Sequence, residues 1–206
     1  MTMNPAVPFG AIVRGSARQA GAALRAFLLL TVLLGIVWPL AFTGVAQVVA
    51  RPMANGSLIE RDGRVVGSTL IGQQFEGDQW FQSRPSASDY AGTTSGSGNL
   101  SPVGQPQLAL VREREQALRA ANPDAPREVP ADALTASGSG LDPDISPEFA
   151  NWQVARVAKA RKVDPDDVRR LVADHTTGRT LGFLGQPRVN VLKLNVALDA
   201  VAARAG

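Results

Sequence analysis

The chain holds 206 residues, with 21 Lys and Arg against 18 Asp and Glu, one histidine and no cysteine. Without thiols, disulfide scaffolds, thiol catalysis and zinc–cysteine sites are excluded. Arg14, Arg18 and Arg25 meet no acidic residue before Arg51, so setting these three aside leaves 18 basic against 18 acidic residues from position 51 on; the net charge of +3 belongs to the lead and describes no nucleic-acid-binding face.

The first element is a run of 25 residues, Ala26 to Ala50, without an ionisable side chain. At a helical rise of about 1.5 Å per residue it reaches roughly 37 Å, enough to cross roughly 30 Å of bilayer hydrocarbon once with some tilt. A helix satisfies its own backbone groups in lipid, and Phe27, Leu28, Leu33, Ile36 and Leu40 give it an apolar surface. The arginines before the run place the N-terminus in the cytoplasm and the rest outside by the positive-inside bias. The rival, a cleaved secretory signal, needs an apolar region of only about 7 to 15 residues, well short of this one. The expected organisation is therefore a basic cytoplasmic lead over residues 1–25, a transmembrane helix over 26–50, and one extracytoplasmic α+β domain over 51–206. Within the span, Thr31, Gly35, Pro39, Thr43 and Gln47 recur at every fourth place, a stripe of small or polar residues suited to packing against a partner helix.

Beyond Arg51 the sequence reads as mixed helix and strand. Ser57 to Glu60 and Arg64 to Gly72 flank Asp62-Gly63, a pair that takes up the positive φ of a tight turn, and predict an antiparallel hairpin. Phe75, Trp80, Phe81 and Tyr90 gather around Arg84-Pro85-Ser86-Ala87, as core anchors or, for Trp80, Arg84 and Tyr90, as a docking face for a partner. A Gly/Ser/Thr-rich loop follows from Asp89 to Gly104. A helix is predicted over residues 107–121, with Leu108, Val111 and Leu118 on one side and Arg112, Glu113, Arg114 and Glu115 solvated. Ser146-Pro147-Glu148 and Val163-Asp164-Pro165-Asp166-Asp167-Val168 mark two further helix starts, the second framed by a hydrophobic staple. Val154, Val157, Ala158, Val168, Leu171 and Val172 should face inward. The spacing of Val191, Leu194, Leu198 and Val201 predicts a terminal helix, although Val189 and Val191 also alternate like a strand.

Signals for chemistry are sparse. His175 is the only histidine, and no serine sits in a G-x-S-x-G elbow, so a membrane-anchored hydrolase or a lone ligand-sensing domain remains an alternative without a motif behind it. Asp164, Asp166 and Asp167 lack the glycine of a calcium loop and read as capping residues. The glycine-rich runs Ser95-Gly96-Ser97-Gly98 and Ser137-Gly138-Ser139-Gly140 have no following Lys-Ser/Thr of a phosphate-cradling Walker loop.

Gly67-Ser68-Thr69-Leu70-Ile71-Gly72-Gln73, Arg84-Pro85-Ser86-Ala87, Leu134 through Pro143, and Gly178-Arg179-Thr180-Leu181-Gly182 through Gly185-Gln186-Pro187-Arg188-Val189-Asn190-Val191-Leu192 occur in this order behind a single N-terminal span. In that arrangement the chain resembles the C subunit of the Kdp potassium-transporting ATPase, from the span to about Asp199. It departs from the pattern at Ala91, where Asn is usual, and at Asp144, where His is common. The resemblance implies a non-catalytic accessory subunit in a bacterial inner membrane. Its partners would be a channel-like potassium-translocating subunit, a P-type ATPase subunit that hydrolyses ATP, and membrane lipid. In that family the C subunit stabilises the assembly and has been proposed to raise the ATPase subunit's affinity for nucleotide. No cofactor or metal is assigned to the chain itself, and ATP enters through the ATPase subunit. Should the chain touch nucleotide directly, Ser137, Gly138, Ser139, Gly140 and Gln153 are the candidate contacts.

Overall fold

The computed structural model describes residues 9–205, with side-chain exposure given for 18–201, so the first part of the basic lead and the side chain of Arg14 lie outside the described residues. The chain divides into two units, residues 1–55 and 56–206.

The first unit is one long helix with a local defect. α1 (Phe9–Val32) passes into a π-helical turn (Leu33–Val37) and on into α2 (Trp38–Val49). It starts well before the apolar run, because the Ala, Arg and Gln of the lead are themselves strong helix formers. The stretch Arg18–Val49, 32 residues long, is apolar enough to cross a membrane, and none of its apolar window is buried within the chain. The π turn has a cause in Pro39. A proline lacks the amide for its own helical bond and its ring crowds the preceding turn. Widening that turn, so that the Trp38 amide reaches back five residues to Leu33 O, relieves the conflict. Beyond α2, Ala50 leaves helical geometry at φ −142°, and the short α3 (Arg51–Ala54) is tied back by a reciprocal amide pair, Gln47 to Asn55, at 3.0 and 3.2 Å.

The second unit is α+β, as expected. β1 (Leu58–Arg61) and β2 (Arg64–Ser68) form the antiparallel hairpin, with Asp62 at φ 51° and Gly63 at φ 73° supplying the turn and a bulge between Ile59 and Glu60. β2 stops short of the predicted Gly72 because the chain changes partner there. The Gly72 amide donates to Leu141 O at 2.8 Å, an approach so close that a Cβ on Gly72 would sit 2.5 Å from Asp142 O.

After an irregular stretch come α4 (Gln105–Ala121), the single turn α5 (Ala131–Leu134), β3 (Asp144–Ile145), α6 (Pro147–Arg161), α7 (Pro165–Asp174), β4 (Thr176–Thr177), β5 (Arg188–Asn190) and α8 (Val191–Ala205). The two predicted caps are present. Ser146 Oγ accepts from the Phe149 amide at 2.9 Å, and Asp164 Oδ1 from the Asp166 amide at 2.7 Å. Asp132 in turn accepts from Ser146 N and Oγ at 2.7 and 2.9 Å, fixing α6 against α5. At the far end of α6, Lys162 takes up a left-handed cap at φ 56°. Both readings of the last segment hold, because β5 runs directly into α8. β3, β5 and β4 make a small antiparallel sheet with β5 in the centre.

The core forms around α6. Phe149, Ala150, Val154, Val157 and Ala158 meet Val168 and Val172 of α7, Val189 of β5, Leu194 and Leu198 of α8, and Phe81 from the irregular stretch, all buried. At about 1.5–3 kcal/mol for each large apolar side chain removed from water, this set supplies the main drive for folding the unit.

Candidate functional site

Two sets of polar contacts organise the domain. The first holds residues 80–82, which belong to no sheet. Asn195 of α8 accepts from Phe81 N and donates to Phe81 O, both at 2.9 Å. Gln153 of α6 does the same for the next residue, accepting from Gln82 N at 2.8 Å and donating to Gln82 O at 3.1 Å. Two carboxamides thus stand in for neighbouring strands, one on each side of the segment, and meet the demand that buried backbone groups be paired. Arg156 completes the set. Its Nε donates to Asn122 Oδ1 at 2.8 Å, its Nη1 to the carbonyls of Asp78 at 2.7 Å and Trp80 at 3.0 Å, and its Nη2 to Gln153 Oε1 at 2.8 Å. Burial lowers the Arg156 pKa from its ordinary value, and the charge of Asp78 acts the other way.

The second set is where the four sequence motifs cross. Arg84 Nη1 pairs with Asp142 Oδ2 at 2.9 Å, and Asp142 Oδ1 accepts from the Asp144 amide at 3.0 Å. Asp144 pairs with Arg188 at 3.1 Å and accepts from Asn190 Nδ2 at 3.1 Å, while the same amide group donates to Thr69 O at 3.0 Å. One motif after another is therefore tied to the next: 67–73 to 190 and 141, 84–87 to 140 and 142, 144 to 188. Ser86 Oγ donates to Gly140 O at 2.6 Å and accepts from the amides of Ser88 and Tyr90 at 3.1 and 3.0 Å. The Tyr90 hydroxyl donates to Arg84 O, and burial pushes its pKa up to about 12.

The residues singled out as docking groups are thus engaged with their own chain. Trp80 is half-buried, with the Arg161 guanidinium 4.2 Å over its ring and Phe75 at 6.1 Å. Arg161 in turn pairs with Asp199 at 2.6 Å, a carboxylate it shares with Arg61. Arg84 and Tyr90 lie in the motif crossing.

The candidate nucleotide contacts separate. Ser137 is buried, with its amide donating to Pro85 O at 3.3 Å, and Ser139 O accepts from Gly96 N at 2.8 Å. Gly140, at φ 69°, packs where a Cβ would lie 2.4 Å from Ser88 Oγ. Ser137 and Gly138 border a cavity of about 330 Å³ together with Asn99, Gln107 and Arg114. Gln153 is not among its lining residues: it is 1% exposed, and both ends of its amide are spent on Gln82 and Arg156. Arg114, expected to be solvated, is half-buried, with Nη1 donating to Leu134 O at 2.9 Å. Helical spacing put it on the outer face, but the 131–134 turn folds over that face.

In the span, Thr43 Oγ1 donates to Pro39 O at 2.8 Å and Gln47 is held by Asn55; Thr31 and Gly35 are exposed, and a Cβ on Gly35 would meet nothing within 4 Å. His175 Nδ1 lies 2.9 Å from Leu171 O at the end of α7, paired with neither a serine hydroxyl nor a carboxylate among the described residues. Among the described residues no group of three or more His, Asp or Glu side chains gathers to hold a metal.

Among the described residues one helix is long and apolar enough to cross a membrane, and followed by a small α+β domain it is the build of a membrane-anchored protein. The family model described as "KdpC: K+-transporting ATPase, c chain" matches residues 20–200, and the chain belongs to that family. A potassium-transporting ATPase KdpC subunit from Burkholderia mallei (strain SAVP1) is 54% identical over 180 residues, covering 86% of this chain and 93% of the relative. One from Burkholderia pseudomallei (strain K96243) matches equally, at 54% over 180 residues. The corresponding subunit of Kineococcus radiotolerans is 53% identical over 187 residues, 90% of this chain and 95% of its own.

Proposed function

We propose that the chain is a non-catalytic accessory subunit of an ATP-driven potassium uptake complex. The N-terminus is cytoplasmic, α1 and α2 cross the bacterial inner membrane once, and the α+β domain stands outside over the outward mouth of a channel-like potassium subunit. The observation that carries this reading is the span. Its apolar window has no buried residue within the chain, and the surface it offers bears the stripe Thr31, Gly35, Pro39, Thr43 and Gln47. In a regular helix, residues four apart overshoot one turn, so such a stripe drifts around the axis. The wide turn at Leu33–Val37 takes one more residue and counters the drift, keeping Thr31, Gly35 and Pro39 closer to one line along which a neighbouring helix can pack.

Function by contact fits the domain as well. The buried side chains of Asn122, Gln153, Arg156 and Asn195 are committed to one another and to the backbone of residues 78–82, and its one histidine is tied to the end of a helix. Any effect on nucleotide affinity then reaches the P-type ATPase subunit through assembly, since the arginines Arg14, Arg18 and Arg25 favour an outward domain while ATP is cytosolic. The test is co-purification: the chain, tagged at its C-terminus and expressed with its partner genes, should bring down a P-type ATPase and a potassium-translocating subunit from mild detergent. Recovery of the chain alone as a stable monomer would replace this reading with that of a solitary anchored domain.

A further inference from the structure

One face of α6 floors a groove of about 910 Å³, a volume within the range of small-molecule sites. Glu148, Asn151, Trp152 and Ala155 follow one another at helical spacing, so they share a stripe of α6 that runs for about 10 Å. The proline-bearing segment 124–131 makes the facing wall. Trp152 Nε1 donates to Pro126 O at 2.9 Å and ties that wall to the helix, so the groove is formed before anything enters it. Pro126, Val129 and Trp152 contribute an apolar lining.

The charges on the rim say what the groove fits. Two of its ionic groups are already spent, Asp124 on Lys159 at 3.3 Å and Arg169 on Asp166. The exposed carboxylates of Glu128 and Glu148 have no ion-pair or hydrogen-bond partner among the described residues. Asn151 Nδ2 donates to Pro147 O at 2.9 Å, which leaves its Oδ1 as a further acceptor. Arg127, beside Glu128 in the chain, is not among the lining residues. Two unpaired carboxylates around an apolar lining match a ligand that is cationic at more than one point and apolar in between. Ammonium groups joined by methylenes have that form: the methylenes lie on the apolar lining as a lysine stem does, and the charges meet the rim. A bare metal ion gains nothing from the apolar lining, and an anion is repelled by the rim. We propose that the groove between α6 and residues 124–131 binds a linear aliphatic polyamine. The site lies within the α+β domain and does not depend on the accessory-subunit reading.

The probe is spermidine, added to the full chain in a non-ionic detergent at low ionic strength, where exposed charges are least screened. The indole N–H signals of the tryptophans are followed by nuclear magnetic resonance. Binding should saturate and move the Trp152 signal while those of Trp38 and Trp80 stay in place. Glu128→Gln combined with Glu148→Gln should weaken binding at least tenfold. Glu113→Gln, on the exposed face of α4, should leave it within twofold. All three positions are exposed, so the thermal melts of these variants should match that of the unsubstituted chain. A Trp152 signal that does not move, an equal response to magnesium at matched ionic strength, or equal losses from the double variant and the control overturns the proposal. Tighter binding of trilysine than of spermidine overturns it in favour of a peptide groove.

Discussion

Gln153→Leu tests whether the amide clamp is a structural device. Leucine has nearly the volume of glutamine, so the substitution leaves little cavity and removes three hydrogen bonds: from Gln82 N at 2.8 Å, to Gln82 O at 3.1 Å and from Arg156 Nη2 at 2.8 Å. Each buried polar group left without a partner costs about 1–3 kcal/mol. Gln82 is half-buried and regains some water, while Arg156 keeps Asn122 and the carbonyls of residues 78 and 80. A total near 3 kcal/mol follows, which for a domain of this size is about 6–12 °C in Tm. The assay is thermal unfolding of the full chain in detergent, followed by near-ultraviolet circular dichroism of Trp80 and Trp152. Asn195→Leu releases the adjoining residue, Phe81, which is fully buried. Because both amides hold one segment, the double substitution should cost less than the sum of the singles by at least about 0.5 kcal/mol. A Gln153→Leu melt within about 1 °C of the unsubstituted chain, or a lost nucleotide response with an unchanged melt, would refute the clamp.

Three further outcomes are expected. Tyr90 keeps its proton in the folded state to about pH 12 but loses it near pH 10 when unfolded, so its contribution is complete below pH 10 and falls as pH rises toward 12. Replacing it with Phe should abolish about 1–2 kcal/mol of that alkaline loss in urea titrations, less than the unscreened limit because the ring partly reaches solvent; an identical pH profile would refute the assignment. Gly72→Ala puts a Cβ 2.5 Å from Asp142 O and should cost about 1–3 kcal/mol in the same melt, while a neutral result would mean that the crossing of the 67–73 and 141–142 segments yields easily. Gly35→Leu fills the helix stripe and should lower recovery of partner subunits several-fold in detergent pull-downs without moving the melt of the domain; undiminished recovery would remove the stripe from the helix contact.

How much of this was legible in the sequence depended on range. Ser146, Asp164 and the Asp62-Gly63 turn act within a few residues, and each reads correctly because the hydrogen bond it makes is written into its immediate neighbours. β3 and β4 escaped detection, since strands of two residues have no periodicity to read. The π turn was implicit in Pro39 but needed the backbone to show how the helix gives way. Gln153 reads from sequence as a polar residue on a helix surface; its partner lies 71 positions away, and nothing local tells a buried carboxamide from a solvated one. Arg114 fails for the same reason, its outer face being covered by a turn from another part of the chain.

The four motifs that carry the family resemblance divide by what they do in the fold. Residues 67–73, 84–87 and 134–143 serve mainly to hold one another, through Gly72 to Leu141, Arg84 to Asp142 and Ser86 to Gly140. The fourth both joins them, through Asn190 and Arg188, and extends beyond them to Leu181 and Phe183, which are largely exposed. Residues that pack need no partner to explain their identity; two large apolar side chains in water, on a backbone turn pinned from both sides, do. The same distinction applies to the first unit, where the apolar surface of Arg18–Val49 finds no cover within the chain. Both units thus leave large apolar side chains exposed, along Arg18–Val49 and at Leu181 and Phe183, while the buried amides of Gln153 and Asn195 are spent on holding residues 81 and 82.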